Sequence, residues 1–205
     1  MKPLVALLAS AVLALGANPY LHLPDDKPVV REFKGEEWDQ DRIGINEKGD
    51  GSRRAPLFAT VTTIRLETMP WGEIYRITFR VLPAASERNV GPYYLLVTDN
   101  EILQLNSVDM DRELRVIRAM KKQPRFEKAD VVALTKGALK FKDGPWVTEV
   151  SLKGGGCHYQ RWHDGSGHFG RMVWRKGEGL VQVAMGRGAE LTGYDLKLDL
   201  SAAKK

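Results

Sequence analysis

The sequence predicts a mostly β protein: an antiparallel meander or barrel-like sheet with one amphipathic helix at about residues 107–123. Three observations predict it. Apolar and polar side chains alternate over residues 75–81, glycine-marked turns recur roughly ten residues apart in the second half, and one stretch alone has helical spacing. With 205 residues, 43% of them hydrophobic, the chain is long enough to bury a core without disulfide or metal support.

Residues 1–16 are typical of a secretory signal peptide. A lysine at position 2 precedes a run over residues 4–15 that is apolar except for one serine, and Ala14 and Gly16 are small residues at the positions that signal peptidase requires. The run is shorter than the ~20 apolar residues that a membrane span needs. We therefore expect cleavage after Gly16, no membrane span, and a periplasmic or secreted protein. A buried N-terminal helix is the alternative.

The region after the expected cleavage site is predicted to be an irregular N-terminal arm over residues 17–56. It is poor in apolar residues and rich in Pro, Gly, Asn and Asp, which favour turns. We expect the arm to pack on the body of the protein through Phe33, Trp38 and Ile43. Residues 57–205 then form a β-rich domain into which the helix is inserted.

The first strands of that domain are predicted from their alternation. Over residues 75–81, aromatic and branched side chains alternate with Arg and Thr, so one face is buried and the other is in water. Further along, Asp99 and Asn100 separate two short apolar runs. If these two residues form the loop of a hairpin, Leu96 faces Leu103 across it.

The helix is predicted from its ends and from its apolar stripe. Ser107 can cap its start, and Pro124 stops it because the residue before a proline avoids the helical region. The residues expected in the buried stripe are Met110, Leu114, Ile117 and Met120. The residues expected on a solvated basic face are Arg112, Arg115, Arg118 and Lys122.

The only cysteine, Cys157, lies close to three of the four histidines. In a strand, Cys157 and His158 point to opposite faces, and Cys157 lies ~20 Å from His163 at ~3.3 Å per residue. Neither histidine can activate the thiol, so Cys157 is predicted to be a small buried residue.

A metal site in the same segment is disfavoured. A hairpin at residues 164–167 brings His163 opposite His168, and two imidazoles could share a metal ion. Arg161 is their nearest neighbour on that face, however, and its charge repels a cation. We expect no metal and no cofactor.

An anion suits this hairpin better. Tyr159, Arg161, His163 and His168 share one face in this register, and Trp162 and Phe169 share the other. If the two aromatic rings pack inward, the first face is exposed. Guanidinium and imidazolium groups donate hydrogen bonds to carboxylates and sulfates, so the four residues are a candidate binding site.

The chain as a whole carries a net charge of +5, and the excess of lysine and arginine lies in its second half. A basic face favours an anionic partner. Export argues against nucleic acid, so an anionic glycan or protein partner is expected. The predicted function is non-catalytic binding in the envelope or outside the cell. An envelope hydrolase using a carboxylate pair and a structural or assembly partner are the alternatives, and the oligomeric state is not predicted.

Overall fold

The computed structural model describes residues 18–39 except 22 and 24, residues 53–82, residues 90–188 except 126, and residues 192–201. These residues form one antiparallel sheet of twelve strands, curled into a half-barrel, with a single short helix. The predicted fold class is therefore confirmed. The strands are β1 (Val29–Asp39), β2 (Arg53–Met69), β3 (Gly72–Leu82), β4 (Tyr93–Val97), β5 (Glu101–Leu105), β6 (Val131–Leu134), β7 (Leu139–Asp143), β8 (Trp146–Lys153), β9 (Gly156–His163), β10 (Phe169–Arg175), β11 (Gly179–Arg187) and β12 (Thr192–Leu198).

Neighbouring strands in the sheet follow one another along the chain, with one exception. The order is β6-β5-β4-β3-β2-β1-β12-β11-β10-β9-β8-β7, so β1 and β12 pair in the middle of the sheet and β6 and β7 form its edges. Curling brings β6 over the opposite half. The Trp174 Nε1 donates to the Val132 carbonyl at 3.1 Å, and the Leu134 amide donates to Cys157 Sγ at 3.3 Å.

The core lies on the inner face of the curl. Phe33 packs edge-on against Phe79 with ring centroids 6.3 Å apart, and Phe79 contacts Tyr93 at 5.7 Å. From there the Tyr93 hydroxyl lies 3.4 Å from the Tyr194 hydroxyl, which joins β4 to β12 across the interior. Each large apolar side chain buried in this way contributes ~1.5–3 kcal/mol.

A short segment before β1 packs into this interior through buried side chains at Tyr20, Leu21 and Leu23. We call the described residues of 18–23 the N-terminal strap, and its first two residues contact the β4–β5 loop and the β10–β11 turn. Asn18 is 3% exposed and donates from Nδ2 to the Thr98 carbonyl at 2.6 Å. The Gly177 amide donates to the Pro19 carbonyl at 2.8 Å. Two adjacent residues at the start of the strap, Asn18 and Pro19, are thus fixed by hydrogen bonds to two separate loops.

Two local predictions are confirmed in register. Leu96 pairs with Leu103 and Tyr94 with Leu105 across the β4–β5 hairpin. On β3, Tyr75 and Ile77 are fully buried while the arginines between the apolar positions face outward. The alternation fixes these faces because a strand turns successive side chains to opposite sides.

The helix is shorter than predicted. Helix α1 covers Met110–Arg118, and its N-cap is Asp109, whose carboxylate accepts from the Arg112 amide at 3.0 Å. Ser107 instead accepts from the Asp109 amide at 3.2 Å, so it holds the turn that precedes the cap. At the other end, the Met120 carbonyl accepts from Trp71 Nε1, and the chain has left the helix well before Pro124.

The two predicted faces of the helix are confirmed in part. Leu114 and Ile117 are buried in the main core, and Met110 and Met120 are partly buried. The predicted basic face is exposed at Arg112, Arg115, Arg118 and Lys122.

The irregular arm predicted over residues 17–56 is wrong for its middle part. Strand β1 lies within this range and pairs with both β2 and β12, with Phe33 buried on the inner face. The strand pattern is hidden because outward residues of β1 such as Glu32 and Lys34 are polar and exposed to water. Trp38 is partly buried against Gly193, and Ile43 lies outside the described residues.

The predicted signal peptide also lies outside the described residues, since residue 18 is the first of them. Within the described part of the chain, no helix has the length and apolarity to cross a membrane.

Candidate anion-binding site

The β9–β10 hairpin has the predicted pairing. Trp162 is paired with Phe169, and the His163 amide donates to the His168 carbonyl at 2.8 Å. The His163 and His168 rings lie 6.4 Å apart between centroids. The hairpin therefore brings both histidines together beside Arg161, which is two positions earlier on the same face of β9.

The condition under which this face would point outward, with Trp162 and Phe169 packed inward, is not met. Tyr159 is 8% exposed and belongs to the main core, so Tyr159, Arg161 and His163 are on the inner face of the curl. Trp162 and Phe169 are on the outer face, where the Phe169 ring covers Gly186. Because Gly186 has no side chain, the Phe169 ring can lie flat against the sheet and be partly buried there. The aromatic pair can therefore be on the outer face although no other element of the described chain packs over it.

Tyr159 is consequently part of the core beneath the site. Burial raises the pKa of its hydroxyl, and the nearby Arg161 guanidinium opposes this effect. Arg161, His163 and His168 are each only partly buried, and they remain candidates for contact with a ligand.

A tryptophan missed by the sequence analysis joins this cluster. Trp146 begins β8 and pairs with His163. The Arg161 guanidinium carbon lies 4.9 Å from the centroid of the Trp146 ring, and the His163 ring meets the same indole edge-on at 5.0 Å. Stacking on the indole holds the guanidinium in one orientation, which lowers the entropy lost when it binds a planar anion.

The signal for Trp146 was present in the sequence. Gly154 and Gly155, both with positive φ, form the two-residue loop of the β8–β9 hairpin. Counting outward from that loop pairs Trp146 with His163. The pairing of His163 with His168 follows from the next hairpin alone, which does not involve Trp146.

Two nitrogens of the cluster are buried without a hydrogen-bond partner among the described residues. They are Arg161 Nε and His163 Nδ1. An unpaired buried polar group costs ~1–3 kcal/mol, so a ligand that supplies partners to both atoms recovers part of that cost.

Open space lies directly beside Arg161. Its cross-strand partner on β10 is Gly170, and a Cβ built on Gly170 would meet no atom within 4 Å. Cross-strand partners share a face, so this space is on the side of the sheet where Arg161 lies. We call Trp146, Arg161, His163, His168 and Gly170 the hairpin cluster.

The charges around the hairpin cluster leave Arg161 available to an anion. Asp164 is held by Lys142, whose Nζ lies 2.9 Å from Oδ2. This ion pair keeps the pKa of the Asp164 carboxyl below its usual value. Asp143 is the cross-strand partner of Trp146 on β7, so strand β8 lies between Asp143 and β9. The His168 Nδ1 is 2.8 Å from the Ser166 hydroxyl, which orients that ring.

Cys157 has the structural role that the sequence predicts. It is fully buried, and burial raises the pKa of its thiol. The Leu134 amide that donates to Sγ only partly offsets this effect. A protonated, inaccessible thiol is a poor nucleophile.

Across the described residues, no three His, Cys, Asp or Glu side chains are grouped closely enough to hold a metal ion. The chemistry of the hairpin cluster is instead that of hydrogen-bond donors around an aromatic ring.

Comparison with known proteins identifies no relative for this chain: no protein family, curated protein or solved structure matches it.

Proposed function

We propose that the protein is an exported, non-catalytic binding protein that takes an anionic glycan at the hairpin cluster. The observation that carries this proposal is Arg161, stacked on Trp146 with its Nε buried and unpaired beside open space over Gly170. A guanidinium fixed in this way can donate two parallel hydrogen bonds to a carboxylate or sulfate.

A sugar suits the rest of the cluster better than an inorganic anion or an acidic peptide. His163 Nδ1 is a donor or an acceptor according to its tautomer, and a sugar hydroxyl can complement either form. The Trp146 ring offers an apolar surface to the C–H faces of a pyranose. An acidic peptide would bind to the guanidinium but would leave His163 Nδ1 and the Trp146 ring without a specific contact.

The binding half of the proposal is tested by calorimetric titration with a heparin-derived tetrasaccharide and with neutral cellotetraose. We expect Arg161→Gln to weaken binding of the anionic sugar by about tenfold or more, the scale of one charge-assisted hydrogen bond. Gly170→Leu should weaken it similarly by filling the open space while keeping every charge.

Arg171→Gln is the matched control. Arg171 lies one residue beyond Gly170 but on the outer face, 5.9 Å from the Phe169 ring centroid, so this variant removes the same charge from the same strand. It should bind like the wild type. Equal losses in Arg161→Gln and Arg171→Gln, or an unchanged affinity in Gly170→Leu, would show general charge attraction and reject the site.

The export half rests on the pattern in residues 1–16 and needs a separate measurement. Intact-mass analysis of the protein recovered from the periplasm or medium of its native host should show the loss of about sixteen residues, as expected for signal peptidase. A full-length chain in the cytoplasm would reject export and leave the binding proposal standing.

A further inference from the structure

A cavity lies beneath the N-terminal strap, apart from the hairpin cluster. Its volume is about 150 Å³. Its walls come from the strap, from the first half of β1, from residues 61 and 63 of β2, and from residues 177–180, which cover the end of the β10–β11 turn and the start of β11. The hydrogen bonds from Asn18 to Thr98 and from Gly177 to Pro19 hold the strap in position over it.

Most of the cavity wall is apolar and firmly packed. Leu21 and Leu23 of the strap, Phe33 of β1, Val61 of β2 and Leu180 of β11 are all buried. An apolar cavity of this size in a protein core is large enough for a benzene ring. The cavity therefore fits the body of a small hydrophobic molecule and not a chain of sugars.

One side chain in the wall is a cation. Arg31 is half-buried on β1, with its Nη1 3.5 Å from the position that a Cβ on Gly179 would take. It makes no hydrogen bond or ion pair with any part of the chain that the structure describes. Burial lowers the pKa of the Arg31 guanidinium, and the nearby Glu178 carboxylate opposes this effect, so Arg31 remains charged without a direct partner.

Glu178 does not neutralise the Arg31 charge completely. Its Oε2 lies 3.6 Å from Arg175 Nη1, so the carboxylate is shared between two guanidinium groups. That oxygen is also buried without a hydrogen bond among the described residues. Arg31, Arg175 and Glu178 together carry a net charge of +1, and of the three Arg31 and Glu178 line the cavity.

We propose that this cavity is a binding site for a small hydrophobic molecule that carries one carboxylate, such as an aromatic or short aliphatic acid. The apolar part fills the space between the strap and the sheet, and the carboxylate accepts hydrogen bonds from Arg31. The site is separate from the hairpin cluster in position and in ligand size, and it does not depend on glycan binding.

The probes are benzoate and benzyl alcohol, which share a ring and differ in charge, titrated into the full mature chain by calorimetry. We expect the wild type to bind benzoate about tenfold more tightly than benzyl alcohol, as one charge-assisted hydrogen-bonded pair allows. Arg31→Gln should remove that preference and leave binding of the alcohol unchanged. Arg80→Gln, which removes the same charge from an exposed site on the outer face of β3, should bind benzoate like the wild type.

Glu178→Gln tests the electrostatics from the opposite direction, because it removes the carboxylate charge and keeps the size of the side chain in the turn. Removing the competing carboxylate should tighten benzoate binding several-fold. Failure of the wild type to bind benzoate, or equal benzoate binding by the wild type and Arg31→Gln, would overturn the proposal. Arg161→Gln should keep benzoate binding intact, so either site can fail without the other.

Discussion

At the scale of single residues, what a side chain contacts decides its chemistry more than its type does. Arg161 and Arg171 are on the same hairpin, yet one stacks on Trp146 inside the curl and the other lies over Phe169 outside it. The sequence predicted that Tyr159, Arg161 and His163 share a face, because alternation follows from strand geometry alone. It could not predict which face is buried, because both faces of this hairpin carry aromatic rings.

The single thiol gives a prediction at this scale. Because Cys157 is fully buried with a raised pKa, it should react slowly with a thiol reagent in the native protein and rapidly after unfolding. Time-resolved labelling with and without denaturant measures the difference. Rapid labelling of the native protein would mean that β6 does not cover Cys157 as the Leu134 contact indicates.

At the scale of elements, the sequence predicted best where side-chain pattern and turn chemistry agree. The β4–β5 hairpin was predicted with its register, because a short polar loop and two alternating runs leave one pairing. The helix was predicted in place but too long. Both Ser107 and Asp109 are good capping residues, and only the backbone shows that Asp109 bonds to the third amide beyond it.

The buried stripe of α1 gives a prediction with a neighbouring control. Ile117 is 3% exposed and packs in the main core, whereas Val116 is 50% exposed. Ile117→Ala should lower the free energy of unfolding by ~2–4 kcal/mol, the usual effect of truncating a core side chain. Val116→Ala should change it by less than ~0.5 kcal/mol.

Denaturant melts of both variants measure these changes. Similar small effects for the two would mean that the stripe does not pack on the sheet, and that the helix is held instead by its end contacts to Trp71 and Glu67.

At the scale of the whole molecule, the sheet depends on pairing between the two ends of the chain. β1 and β12 join in its centre, and at that junction Gly35 is needed because a Cβ there would overlap the Asp195 carbonyl. Such contacts are remote in sequence, and no local pattern encodes them. The cavity with Arg31 is hidden for the same reason, since its wall combines the strap, the first strands and the β10–β11 turn.

The interior of the curl also gathers tyrosines from distant strands, and this gives a prediction for the molecule as a whole. Burial raises the pKa of Tyr75, Tyr93, Tyr159 and Tyr194 above the ordinary value of 10.0. For a group whose pKa is raised on folding, the stabilising effect is complete below the pKa of the unfolded chain and is lost as the pH rises toward the folded value. The free energy of unfolding should therefore begin to fall above about pH 10.

The hydroxyls of these four tyrosines should ionise only as the sheet opens. Their tyrosinate absorbance and the loss of far-ultraviolet circular dichroism should therefore follow one curve on alkaline titration. Tyr194→Phe removes one of these hydroxyls together with its 3.4 Å contact to Tyr93, and it should lower the absorbance change at the transition by one ring. General repulsion between charges at high pH would also unfold the protein. It would not make the ionisation of these tyrosines coincide with the loss of circular dichroism. If all the tyrosine absorbance develops while the circular dichroism stays native, these hydroxyls are open to solvent. The burial of the four tyrosines inside the half-barrel would then be wrong.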